Sequence, residues 1–282
     1  GSLVEKTSSL KLQIDDARLT LAQGTKKQIE IENLTLQFTI SVTDPHSARG
    51  HLQSTFSKLS LYRKGLQEGV KDTSIDCSIQ MERDRMTVSL DRLATTEPNL
   101  ELTGDLVLAK SSPAITLNLS SSNINVDATR RTALALAGDT PPTTDIFDYL
   151  RGGQVPHISF TSQGENLSEL TDLSNMVIKG QLQKSKVSIP AIKLDLTEVN
   201  GNVIISKGVL QATGLSTRLE GSTGRDGSLL VGLAKDNDLF QLELTLSANL
   251  AELNTILHRV VGNPAFIAEL EKIKNVQGTS NA

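Results

Sequence analysis

The chain has 282 residues, a formal net charge of −4 and a hydrophobic fraction of 38%, a balance that suits a folded core and excludes a disordered chain. Its basic residues form no run longer than the pairs Lys26-Lys27 and Arg130-Arg131, so the electrostatic footprint of a nucleic-acid-binding surface is missing. With no Trp, 2 Tyr and 6 Phe there are no aromatic girdles for a porin-like barrel, and no apolar run reaches the roughly 18–20 residues of a membrane-spanning helix.

Alternation of apolar and polar residues, the period of a half-buried strand, begins in LKLQI (10–14), ARLTLA (17–22) and IEIENLTLQF (29–38). Asp44-Pro45 then marks a turn, and residues 45–50 are expected to form a loop flanked by His46 and His51. Alternation resumes in SIDCSIQM (74–81), RMTVSL (85–90), LELTGDLVL (100–108) and AITLNL (114–119), with turns at Pro98-Asn99 and Ser111-Ser112-Pro113. Cys77, the only cysteine, falls on the apolar phase of its run, which places a small hydrophobe on a buried strand face and rules out an intrachain disulfide.

The first helical pattern covers 127–138, with Asp127 as N-cap and Gly138 at its end, and a weaker one covers 144–151. Strands return at SKVSI (185–189) and in the stretch 194–224. There Asn200-Gly201 predicts a two-residue hairpin, Ser206-Lys207-Gly208 a further turn, and Gly214 a bulge that puts Leu215, Thr217 and Leu219 one step out of phase. The glycines of 221–227 lack the lysine and the following helix of a phosphate-binding loop, and a strand at 228–233 makes them a hairpin connection through Arg225-Asp226-Gly227. Asp236-Asn237-Asp238 lacks the rest of an EF-hand and reads as a turn. After FQLELTL (240–246), a helix over 249–262 is predicted from Asn249 as cap and Glu252 closing a capping box, with Leu250, Leu253, Ile256, Leu257, Val260 and Val261 as its stripe. Asn263-Pro264 opens another, with Phe266, Ile267, Leu270 and Ile273 on its apolar face.

Residues 115–127 and 242–254 share a pattern of alternating strand, small polar break and helix. Two β-rich units are therefore expected, 1–138 and 139–282, joined in one continuous elongated sheet. The fold class is mainly β: antiparallel meanders with a few short amphipathic helices. The opening Gly1-Ser2 reads as a cloning scar, and 275–282 resembles the start of a further strand, so the chain is expected to be a piece of a longer one.

No constellation supports catalysis. His46, His51, His157 and His258 belong to no metal-binding sequence pattern, and there is no nucleophile elbow or kinase signature. A non-enzymatic protein without cofactor or metal is expected.

One stretch carries a family likeness. LRGGQVPHISFTSQGENLSEL (150–170), the Ile178-Lys179-Gly180 strand, VSIPAIKLDLTEVNGNVIISKGVLQATGL (187–215) and LSANLAELNTIL (246–257) together resemble the AsmA-like and TamB-like proteins of the Gram-negative envelope. The matching features are I-P-x-x-x-L-x-L-x-x-V-x-G at 189–201, K-G-x-L at 207–210 and the L-x-x-L helix after the last long strand. The resemblance implies a long, curved antiparallel sheet with an apolar inner groove, tethered to the inner membrane and projecting into the periplasm. It implies phospholipid acyl chains as cargo between the two membranes, and other envelope proteins as partners. About 15 strands at ~4.8 Å spacing would extend roughly 70 Å.

Two answers then exist for what covers the apolar face. In one, the helices near 127–138, 249–262 and 264–275 lie over it and close a core; the protein is then a structural or assembly scaffold for outer-membrane proteins and carries no lipid. In the other, the face stays open as a groove. The groove candidates are Val187, Ile189, Ile192, Leu194 and Leu196 on one side of Asn200-Gly201, and Val203, Ile205, Leu210, Leu215 and Leu219 on the other.

Overall fold

The computed structural model describes residues 8–23, 26–44, 46–63, 66–137, 141–190, 194–233, 237–261, 263–273 and 277–281. Seven strands come first: β1 (Ser8–Gln23), β2 (Lys26–Asp44), β3 (Ser47–Arg63), β4 (Leu66–Glu82), β5 (Arg85–Thr95), β6 (Leu100–Ala109) and β7 (Ile115–Asn125). Helices α1 (Val126–Ala137) and α2 (Pro141–Tyr149) follow, then β8 (Leu150–Gly164), β9 (Met176–Ile189), β10 (Leu194–Ser206), β11 (Val209–Leu219), β12 (Ser222–Gly232) and β13 (Phe240–Asn249). The last elements are α3 (Leu250–Val260), α4 (Pro264–Leu270) and β14 (Thr279–Asn281). All fourteen strands form a single open antiparallel sheet in strict chain order, the mainly β architecture expected from the alternation.

The helical excursion between β7 and β8 does not divide the sheet. β8 returns beside β7 and pairs with it from Ile115↔Gly164 to Asn125↔Gln154. Both strand-to-helix transitions are built alike, with a difference from the predicted caps. Asn125, not Asp127, caps α1 by accepting the Ala128 amide at 3.0 Å. Asp127 instead accepts the Gly153 amide of β8 at 2.9 Å. Asn249 caps α3 through the Ala251 amide, but Glu252 closes no capping box: it reaches back to the Gly221 amide at 2.7 Å, while the Asn249 amide donates to Ser222 Oγ. In each case a first-turn carboxylate hooks the helix to a distant glycine amide, in β8 for Gly153 and in the β11–β12 turn for Gly221, where a charge-assisted bond is stronger than a neutral cap. α4 starts as predicted, with Asn263 accepting the Ala265 amide at 2.9 Å. α2 ends at Tyr149, so Leu150 and Arg151 belong to β8. Gly138, Ile192 and Asp236 lie outside the described residues.

The strands are longer than the turn signals suggest: two predicted turns are absent and one predicted loop is mostly strand. β10 runs straight through Asn200-Gly201, and β12 runs through Arg225-Asp226-Gly227. β3 begins at Ser47, so His51 sits within a strand rather than beside a loop. What the turn residues do instead is reset the alternation. A seam of left-handed residues crosses the sheet: Asp16 (φ 50°), Asn33 (54°), Asp72 (44°), Asn123 (57°), Lys184 (47°), Glu198 (51°), Gly214 (61°) and Asp226 (53°). In β10 the buried positions are Leu194 and Leu196 before Glu198, then Val199 and Ile205 after it. β11 changes phase in the same way, from Leu210 and Ala212 to Leu215 and Thr217 across Gly214. A residue in this conformation adds one position to the count, so the apolar residues stay on one face although their numbering changes parity. β9 and β10 skip together and keep their register, as Leu196↔Val187 and Gly201↔Leu182 show. Asn200 secures the seam: its Oδ1 accepts the Lys184 amide at 3.0 Å and its Nδ2 donates to the Glu198 carbonyl at 2.8 Å.

Two glycines separate the costs of this geometry. A Cβ at Gly214 meets nothing within 4 Å, so Gly214→Ala is expected to lose only the left-handed penalty of about 1–2 kcal/mol. At Gly153 (φ 101°) a Cβ would stand 2.3 Å from Ser185 Cα and 2.7 Å from the Lys184 carbonyl. Gly153→Ala is expected to cost about 3 kcal/mol or more. Urea unfolding midpoints of the two variants check the order.

Candidate functional site

Cross-strand register aligns apolar side chains into rows that run perpendicular to the strands. One row passes through Leu12, Phe38, Leu52, Cys77 and Leu90 on β1–β5. It crosses Gly104 and Leu119, then continues through Phe160, Ile178, Ile205, Leu210, Val231 and Phe240 on β8–β13. A second row on the same face begins at Ile14, Leu36, Ser54, Ile75, Leu93 and Leu102. It ends at Val203, Ala212, Leu229 and Leu242. Each of β1–β13 contributes one residue to the first row, which at about 4.8 Å per strand is roughly 58 Å long. Neighbouring side chains in such rows lie close enough to touch, so the face is a mainly apolar strip, interrupted at Gly104 in the first row and at Ser54, Ser121 and Gly180 in the second.

The strip is not uniformly covered. At the β9–β12 end it is a core: Ile189 is 0% exposed, Val199 2% and Ile205 4%. At the β1 end Leu10 is 63% exposed, Leu12 50% and Leu21 53%. The sheet produces the difference by curling. A flat sheet would hold β8 and β13 about 24 Å apart, yet Leu150 of β8 and Leu242 of β13 line the same apolar cavity of about 90 Å³. Ile146 and Tyr149 of α2 close that cavity, and burial among these apolar groups, with Asp145 and Asp148 nearby, pushes the Tyr149 hydroxyl pKa up. α1 reaches from β8 and β7 back to β4 and β3. Beside it, an open cleft of about 550 Å³ is polar, lined by Lys58, Lys71 and Arg131 among others.

The candidate residues therefore fall on one face, but mostly at its closed end. Ile189, Leu194, Leu196, Ile205, Leu210 and Leu215 are buried, and Val187, Val203 and Leu219 pack against them half-buried. Ile192 lies outside the described residues. The open part of the strip, Leu10, Leu12, Phe38, Leu52 and Leu90, was not singled out from the sequence. The signal for it existed in the alternation of 10–14, 29–38 and 85–90; what the alternation lacks is any statement of how far the sheet curls. Cys77 lies within the strip on β4, between Leu52 and Leu90. Burial pushes its thiol pKa up, and Asp91 and Asp76 add to the shift.

Of the other residues considered for chemistry, His46 sits in the β2–β3 turn and donates its backbone amide to Asp44 Oδ1 at 2.7 Å. His157 lies on β8 opposite Ser122, and His258 is exposed on α3. Among the described residues no helix is long and apolar enough to cross a membrane. No family model, curated protein or solved structure matches the chain.

The two ends of the strip are expected to respond differently to truncation. Ile189→Ala removes a fully buried side chain and should destabilise by about 2–5 kcal/mol. Leu12→Ala at the open end should change stability by under about 1 kcal/mol. Chemical denaturation of both variants checks the contrast; equal losses would mean that the strip is covered throughout.

Proposed function

We propose that this chain is a periplasmic segment of an AsmA-like protein and that its apolar strip shields phospholipid acyl chains in transit between the inner and outer membranes. The observation that carries the reading is the pair of mainly apolar rows across β1–β13, interrupted at Gly104 in one and at Ser54, Ser121 and Gly180 in the other, and left uncovered at the β1 end. Folded proteins rarely expose a contiguous apolar patch of this extent without a use for it. Acyl chains suit it because their burial requires no specific contact: ten methylenes leaving water contribute about 8 kcal/mol. The single open sheet in chain order agrees with the architecture that the motifs at 150–278 imply. Tethering to the inner membrane belongs to the same reading and would be supplied by segments beyond this chain.

A second reading, a scaffold that captures strands of outer-membrane proteins, is favoured by the sheet edges. Among the described residues, β1 (Ser8–Gln23) pairs on one side alone, and β14 covers only Ser247–Asn249 of β13. Unpaired strand edges template the addition of another strand.

Native mass spectrometry of protein purified without detergent, with organic extraction, separates the two. Co-purifying phospholipid is expected for the native chain. A Leu10→Asp/Leu12→Asp variant, altered only where the strip is already exposed, should lose most of it while its circular dichroism is unchanged. A lipid-free native chain that also refuses added phospholipid would overturn the lipid reading and leave the scaffold.

A further inference from the structure

We propose that His51, Asp76 and Asp91 bind one divalent transition-metal cation on the face of the sheet opposite the apolar strip, clipping β3, β4 and β5 together. The three residues come from three adjacent strands, and one ligand atom of each lies within 4.8 Å of the other two. His51 and Asp76 directly adjoin Leu52 and Cys77 of the strip in sequence, so alternation turns them to the other face. His51 Nε2 stands 3.4 Å from Asp76 Oδ1. Two ligands of a tetrahedral zinc ion, each at about 2.0–2.1 Å, lie about 3.4 Å apart.

Two further features point to a ligand. Asp76 Oδ2 accepts from Gln53 Nε2 at 3.1 Å, which orients the carboxylate. Its Oδ1 is shielded from solvent and makes no hydrogen bond; it faces His51 Nε2 at 3.4 Å, the spacing of two ligands of one ion. Asp91 is the extra residue of a bulge: Leu90 pairs with Cys77 and Arg92 with Asp76, leaving Asp91 between them. Bulges re-aim a side chain in this way. The neighbouring Arg92 pairs with Glu101 through its Nε at 3.0 Å. An imidazole with two carboxylates is a borderline donor set that favours zinc-like ions over magnesium, and water would complete the coordination. Spacing rules along the sequence miss the site because its ligands are 25 and 15 residues apart and meet only through strand pairing.

The test is isothermal titration of the untagged, chelator-treated chain with zinc chloride, independent of any lipid measurement. Saturable 1:1 binding is expected, unaffected by millimolar magnesium. It should weaken at least ~10-fold in His51→Ala and in Asp91→Asn, and remain in His46→Ala. Both ligand variants change exposed side chains, and circular dichroism verifies their fold. Absence of saturable binding, displacement by magnesium, or a loss smaller than tenfold in His51→Ala overturns the site.

Discussion

A sheet with one apolar face must hide that face, and everything in this molecule follows from how far it succeeds. A second layer would be the ordinary solution. Here the helices are short and sit at the strand-to-helix transitions, so the sheet uses its own curl. Between β8 and β13 the curl is tight enough, with Ile146 and Tyr149 of α2 as a plug, to bury Ile189, Val199 and Ile205. Towards β1 it is not, and the same rows of side chains emerge into solvent.

That arrangement requires every strand to present its apolar residues to one side over lengths such as the 19 residues of β2. The left-handed seam makes this compatible with the lengths of the strands, because it lets the apolar phase restart without losing register. Asn200 shows the economy of the device: one side-chain amide satisfies backbone groups on β9 and β10 at the point where both strands skip. Pairing resumes on both sides of the skip, so the mainly apolar strip keeps to one face along the strands.

Much of this was legible in the sequence. Alternation identified most of the strands but not β3, where a loop was expected, nor β8; the phase change at Gly214 was visible because Leu210, Ala212 and Leu215, Thr217 fall on different parities. The same chemistry at Asn200-Gly201 and Asp226-Gly227 was misread as turns, since residues that accept positive φ serve hairpins and bulges equally. Only pairing partners separate the two, and those are tertiary information. The capping residues were half legible: Asn249 and Asn263 cap their helices, whereas Asp127 and Glu252 were diverted by glycine amides far away in sequence. For the site, the sequence identified which residues share a face. It could not rank them by exposure, so the chosen candidates cluster where the curl has already closed the core.

The most direct measurement is site-specific photocrosslinking to lipid in a Gram-negative cell, with the probe placed at Leu12 and Leu90 on the strip and at Gln13 and Ser89 on the opposite face. Phospholipid adducts, read by mass spectrometry, are predicted at the first pair and not at the second. Adducts at neither pair, or equally at both, would contradict an acyl chain lying along this face of the sheet.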